Sequence, residues 1–143
     1  MSASVLQKLR EDLRSGVQPG SDEESLVFFG FLRGIQDREV MLEFRRTEED
    51  REAFAYALLT KIDLKGNGEI ILHFVGYRVT VTGRNLHASQ AYGAQKQHAI
   101  RLYDALRRHR VNWIRTATPE ESFTVAEDAL FVEVIDIQRT EAG

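Results

Sequence analysis

The side chains best suited to bind a ligand form a basic stretch in the last third of the chain. Its members are Arg101, Arg107, Arg108, Arg110 and Arg115, with His109 and Trp113 between them. This local excess of positive charge favours an anionic partner. The candidate contacts for an anion or a nucleic acid are Arg107, Arg108, Arg110 and Trp113. The alternative is structural, because cations also collect at the end of a helix, where they offset its negative dipole.

A second candidate site is a glycine turn that ends an alternating apolar segment. Residues 79–86 read V-T-V-T-G-R-N-L, and this short segment resembles the second motif of Sm-like RNA-binding proteins. The resemblance implies that Arg84 and Asn85, in the Gly83-Arg84-Asn85 turn, contact RNA bases. The first motif of that family, an Asp followed shortly by an Asn, is missing from the chain. The residues alone favour a strand that ends in a glycine bend and an Asn helix cap.

The sequence contains no complete catalytic or metal-binding pattern. Its histidines are His73, His87, His98 and His109, and no two of them have the spacing of metal ligands on one helix. Cysteine is absent, which excludes thiol nucleophiles and zinc-thiolate sites. We therefore expect no metal and no cofactor. An enzyme remains an alternative, in which His87 or His98 acts as the general base in a cleft formed on folding.

The elements that must position these residues begin with a meander in the middle of the chain. A three-residue loop over Gly66–Gly68 pairs residues 62–64 with residues 70–72. The next turn, at Gly76, is compatible with two registers, in which Phe74 pairs with Val79 or with Tyr77. Both registers keep the same side chains on the core face. They are Ile70, Leu72, Phe74, Val79 and Val81.

Apolar periodicity predicts two helices outside the meander. One covers Ala94 to Arg110 and the other is a short amphipathic helix from Ser4 to Ser15. An acidic connector from Gln18 to Ser25 follows the short helix. Further strands are predicted at residues 26–32, 40–44, 111–114 and 130–138. For Thr47 to Leu59 we favour a turn followed by a strand that begins near Phe54, with a helical turn as the alternative.

These elements predict an α+β fold. A small antiparallel β-sheet or partly open barrel of about five to six strands would pack against the helix in the C-terminal half. Residues 1–25 would form the short N-terminal helix and the linker, and residues 26–143 a single α+β domain. Strands followed by an amphipathic helix also resemble the general plan of pleckstrin-homology-like barrels, although no diagnostic residue of that family is present.

Composition limits the function classes. The chain has 143 residues and a formal net charge of -3, which gives no general attraction to nucleic acid. No apolar run is long enough to span a membrane and no secretion signal is found, so we expect a cytoplasmic protein. We predict a non-enzymatic module that binds a protein partner or itself, with a homo-oligomer as the expected state. RNA binding through the basic helix end and the glycine turn is the alternative.

Overall fold

The computed structural model describes residues 23–140, and within this range the protein is built mainly from β-strands. Two α-helices and one turn of 3-10 helix, Tyr56–Leu58, interrupt them. The strands are β1 (Glu23–Ser25), β2 (Phe29–Leu32), β3 (Met41–Arg45), β4 (Arg51–Ala55), β5 (Leu59–Lys65), β6 (Glu69–Phe74), β7 (Tyr77–Arg84), β8 (Gln90–Tyr92), β9 (His98–Ile100), β10 (Val111–Arg115) and β11 (Phe131–Arg139). The helices are α1 (Leu102–Arg107) and α2 (Glu121–Thr124).

The predicted α+β fold is wrong. The described residues contain eleven strands in three sheets, and within them no long helix packs against a single sheet or barrel. The segment from Ala94 to Arg110 forms a turn, strand β9 and the six-residue helix α1. A continuous helix fails here because Gly93 and Lys96 both have positive φ, a conformation that α-helix geometry excludes. Only the end of the predicted helical stripe, Leu102 and Leu106, is buried on a helix.

Two larger sheets enclose one hydrophobic core. The first has the order β1-β2-β10-β3-β4, and the second has the order β11-β7-β6-β5. Strands β10 and β3 are parallel, whereas the other pairs are antiparallel. Aromatic side chains join the sheets, with Phe54 of β4 stacked on Phe74 of β6 at a ring separation of 4.9 Å. The small β8-β9 hairpin packs on the first sheet through Tyr92, whose ring meets Phe31 edge to face.

The predicted meander is confirmed. Strand β5 pairs Leu64 with Ile70, and the turn at Gly76 takes the register in which Phe74 faces Tyr77. All five predicted core-face side chains are buried. Gly66 and Gly76 both have positive φ, which suits the two tight turns, and the structure selects between the two registers that the sequence leaves open at Gly76.

Several other boundaries differ from the prediction. The ambiguous segment from Thr47 to Leu59 contains a turn, strand β4 and the 3-10 turn before β5 begins. Glu23–Ser25, assigned to the connector, form β1 and pair with β2. The predicted helix from Ser4 to Ser15 and the rest of the connector lie outside the described residues, and the division into residues 1–25 and 26–143 stays a prediction. Among residues 23–140, no helix is long and apolar enough to cross a membrane.

Candidate functional site

The end of α1 presents two exposed cations from the predicted basic stretch. Arg107 and Arg108 both face solvent. The Nη2 atom of Arg107 lies 3.2 Å from Asp104 Oδ1, and its guanidinium carbon lies 5.5 Å from the centre of the Tyr103 ring. An exposed pair at this spacing binds weakly, so both arginines remain accessible to an anion.

Arg110 and Trp113 are built into the first sheet. Arg110 is buried and donates hydrogen bonds of 2.8 Å to the backbone carbonyls of Leu32 and Arg33. The Trp113 indole lies over Gly30, where a Cβ atom would come within 2.2 Å of Nε1. The structure therefore gives Arg110 and Trp113 packing roles and separates them from the exposed pair on α1.

The glycine turn after β7 is also engaged within the fold. Asn85 has a φ of 56°, and its side-chain amide donates to the carbonyls of Glu127 and Ala129 at 2.8 and 3.0 Å. The Arg84 guanidinium lies 4.4 Å from the centre of the Phe131 ring. These contacts fasten the loop before β11, and they occupy the groups that the Sm-like resemblance would assign to RNA.

The histidines named as candidate general bases both lie on the surface. His87 and His98 are exposed, and within residues 23–140 neither hydrogen-bonds to a carboxylate. The centres of the His98 and Tyr92 rings lie 5.2 Å apart. A different histidine, His73, lies 2.9 Å from Asp63 Oδ2 across the β5-β6 pair. Its hydrogen bond lowers the pKa of the Asp63 carboxyl, which stabilises the hairpin without forming a cleft.

Strand β4 is an open edge of the first sheet. Within residues 23–140 it has a ladder partner on one side only, strand β3. The next residues pass directly through the 3-10 turn into β5, which is an edge of the second sheet. The two edge strands, β4 and β5, are therefore consecutive in the chain and are separated only by the 3-10 turn.

An exposed apolar strip adjoins the end of β4. We define the strip as Val40, Met41, Leu58 and Val75, which are 41 to 73% exposed. Backbone contacts join Val75 to Leu58, and they join Val40 and Met41 to Tyr56 and Ala55, which shortly precede Leu58 in the chain. Exposed apolar side chains grouped in this way are typical of an interaction surface.

Comparison with protein-family models, curated proteins and solved structures found no match to this chain. The candidate site, the β4 edge with the apolar strip, is therefore argued from the geometry of the structure alone. Such a site can bury apolar surface and pair a strand edge, and both interactions favour association with another chain.

Sequence reasoning missed most of this surface. The sequence predicts Val40 and Met41 within the strand at residues 40–44 and assigns no binding role to Leu58 or Val75. The run Ala53, Ala55 and Ala57 is the available signal, since it leaves this stretch without charged side chains at those positions.

Proposed function

We propose that the protein is a non-enzymatic interaction module that associates with itself through the edge of β4. The single observation that carries this proposal is the open β4 edge beside the apolar strip. An unpaired row of backbone N–H and C=O groups is a template for another strand. Burial of the strip would add a hydrophobic contribution of about 25 cal/mol for each Å² removed from water.

The two neighbouring edges differ in how they are protected. Strand β5 carries Lys61 and Lys65 and has a bulge between Leu59 and Lys61, which are ordinary devices against edge pairing. The β3-β4 ladder is regular, and the second half of β4, Ala53 to Ala55, has no charge, proline or bulge. This contrast supports β4 as the edge that pairs.

A second copy of the chain is the occupant that best fits this surface. A two-fold axis near Ala53, the middle residue of β4, would pair β4 with its own symmetry mate and place each apolar strip beside the start of the partner's β4. Such an isologous contact closes as a dimer, and it joins the two first sheets into one continuous sheet. A cytoplasmic setting is proposed with it, since a chain without cysteine is compatible with a reducing compartment.

The test is the mass in solution, measured by light scattering after size exclusion at rising concentration. The wild type should approach twice the chain mass of 16.4 kDa. Ala53→Lys should remain a monomer, because a lysine on an edge blocks pairing. Ala99→Lys, a change at an exposed position of β9, is the matched control and should behave as wild type. A wild type that stays monomeric at every concentration would reject self-association.

Nucleic-acid binding is the second candidate, and the exposure of Arg107 and Arg108 supports it. It predicts that affinity for a single-stranded RNA probe falls with salt, and that replacing both arginines by Ala lowers the slope of that dependence. The engagement of Arg84, Asn85 and Arg110 inside the fold leaves this proposal with fewer contacts than the sequence suggested. Absence of binding at low ionic strength would remove it.

A further inference from the structure

Three arginines occupy paired positions on three neighbouring strands of the first sheet. Arg115 of β10 is the register partner of Arg45 of β3, and Arg45 is the partner of Arg51 of β4. Paired residues share one face, and neighbouring strands are about 4.8 Å apart. Like charges in directly opposite positions destabilise a sheet. Carboxylates beside the row, Glu43 and Glu121, offset part of this repulsion.

The row borders a cavity of about 550 Å³ at the end of the sheet. We call it the arginine pocket. Its walls include the side chains of Arg45, Arg46, Arg51 and Arg115, together with Thr47, Thr116 and Thr118. Two carboxylates, Glu48 and Glu121, also line it, so the cations of the lining outnumber the anions by four to two.

Carboxylates that line or flank the pocket hold two of the guanidinium groups in place. Arg115 forms a bidentate pair with Glu121, at 2.8 and 2.7 Å. Arg46 Nη2 bonds to Asp50 at 2.9 Å and to Glu52 at 2.6 Å. These pairs take up the fork of Arg115 and the Nη2 group of Arg46, so both side chains are held in place and contribute mainly their positive charge to the pocket.

The other two guanidinium groups, those of Arg45 and Arg51, are partly exposed and share the carboxylate of Glu43. Glu43 accepts from Arg45 Nε, whereas Arg51 Nη1 lies 3.8 Å from its carboxylate, beyond hydrogen-bond distance. Within residues 23–140 the terminal nitrogens of Arg45 and Arg51 make no hydrogen bond. Both side chains therefore retain donors at the pocket.

Two buried polar atoms of the pocket residues also have no partner. They are Arg46 Nε and Thr116 Oγ1, both inaccessible to solvent and without a hydrogen bond among the described residues. Buried donors are nearly always satisfied in folded proteins. Because neither atom is accessible from the cavity, the donors available to a ligand are the terminal nitrogens of Arg45 and Arg51.

We propose that the arginine pocket binds a phosphate group carried by a small organic molecule. Guanidinium forks match phosphate oxygens in two-point hydrogen bonds, and a threonine hydroxyl can donate to a third oxygen. The cavity exceeds the size of the free ion, which leaves room for the remainder of a small ligand. The pocket shares only Arg51 with β4, and the apolar strip lies outside it, so ester binding and self-association are measured as separate properties.

The experiment is isothermal titration of the full chain at low salt with inorganic phosphate, ribose 5-phosphate and adenosine monophosphate. Binding of both esters more tightly than the free ion is the expected result. Arg51→Gln should weaken ester binding by about tenfold, the value of one charge-assisted hydrogen bond. Arg108→Gln, an exposed cation that does not line the pocket, should leave it unchanged.

Arg45→Gln is the second test of the same pocket, because Arg45 also keeps terminal donors there. It should lower ester affinity in the same direction as Arg51→Gln, and circular dichroism should show that both variants remain folded. No binding of any probe would overturn the proposal. It would also fall if Arg108→Gln weakened binding as much as Arg51→Gln, or if single-stranded RNA bound tighter than the monophosphates.

Discussion

The pair between Arg115 and Glu121 should contribute measurably to stability, and its removal is the best-defined perturbation in the structure. The change is Glu121→Gln. Hydrogen bonds from Arg115, together with the N–H of Thr118, lower the pKa of the Glu121 carboxyl from 4.5 to about 2. The contacts responsible are the bidentate pair and a 2.8 Å bond from Thr118 N. An amide keeps the shape of the side chain and removes its charge.

The expected magnitude follows from that pKa. A fall from 4.5 to about 2 corresponds to about 3 kcal/mol. The Arg115 and Glu121 side chains are 28% and 20% exposed, so solvent screening reduces the effect, and we expect about 2 kcal/mol. Because the folded-state pKa is depressed, this contribution is present above pH 4.5 and is lost as the pH falls towards 2.

Urea unfolding followed by circular dichroism across the acid range provides the assay. The difference in unfolding free energy between wild type and Glu121→Gln should be largest at neutral pH and should shrink below pH 4.5. Glu120→Gln is the matched control, since Glu120 is exposed and its carboxylate makes no hydrogen bond or ion pair within residues 23–140. A difference that is independent of pH, or equal in the control variant, would refute this reasoning.

Two further changes test how the sheets are held together. Gly83→Ala should cost about 3 kcal/mol or more, because its Cβ would lie 1.9 Å from Phe131 O and would force β7 and β11 apart; normal thermal stability of this variant would contradict the register. Tyr56→Phe should cost about 1 to 3 kcal/mol in urea unfolding, because its buried hydroxyl donates a 2.6 Å bond to Val111 O. A neutral Tyr56→Phe would mean that the carbonyl finds another donor.

The part of the fold that could be predicted is the part encoded locally. The two hairpins of the meander depend on glycines within a few residues of the strands they join, so alternation and turn chemistry predict both hairpins and their core face, while the register at Gly76 needs the structure. The helix predicted over Ala94 to Arg110 is wrong because the same apolar spacing also fits a turn, a short strand and a short helix in succession. Periodicity does not reveal the positive φ at Lys96.

The candidate sites depend on contacts between distant parts of the chain. The arginine row exists only because β10 lies parallel to β3, which brings Arg115 beside Arg45. A pairing across that separation leaves no local signal in the sequence. The basic stretch was recognised as unusual, but folding divides it: Arg107 and Arg108 remain on the surface, Arg110 is buried, and Arg115 enters the pocket.

The measurement that tests the proposed association most directly is hydrogen-deuterium exchange at low and high protein concentration. If two copies pair through β4, the amides of Arg51–Ala55 should exchange more slowly as concentration rises. The amides of Leu59–Lys65, on the protected edge β5, should show no change. Slower exchange at β5 with unchanged exchange at β4, or no change at either edge while the mass doubles, would contradict the account.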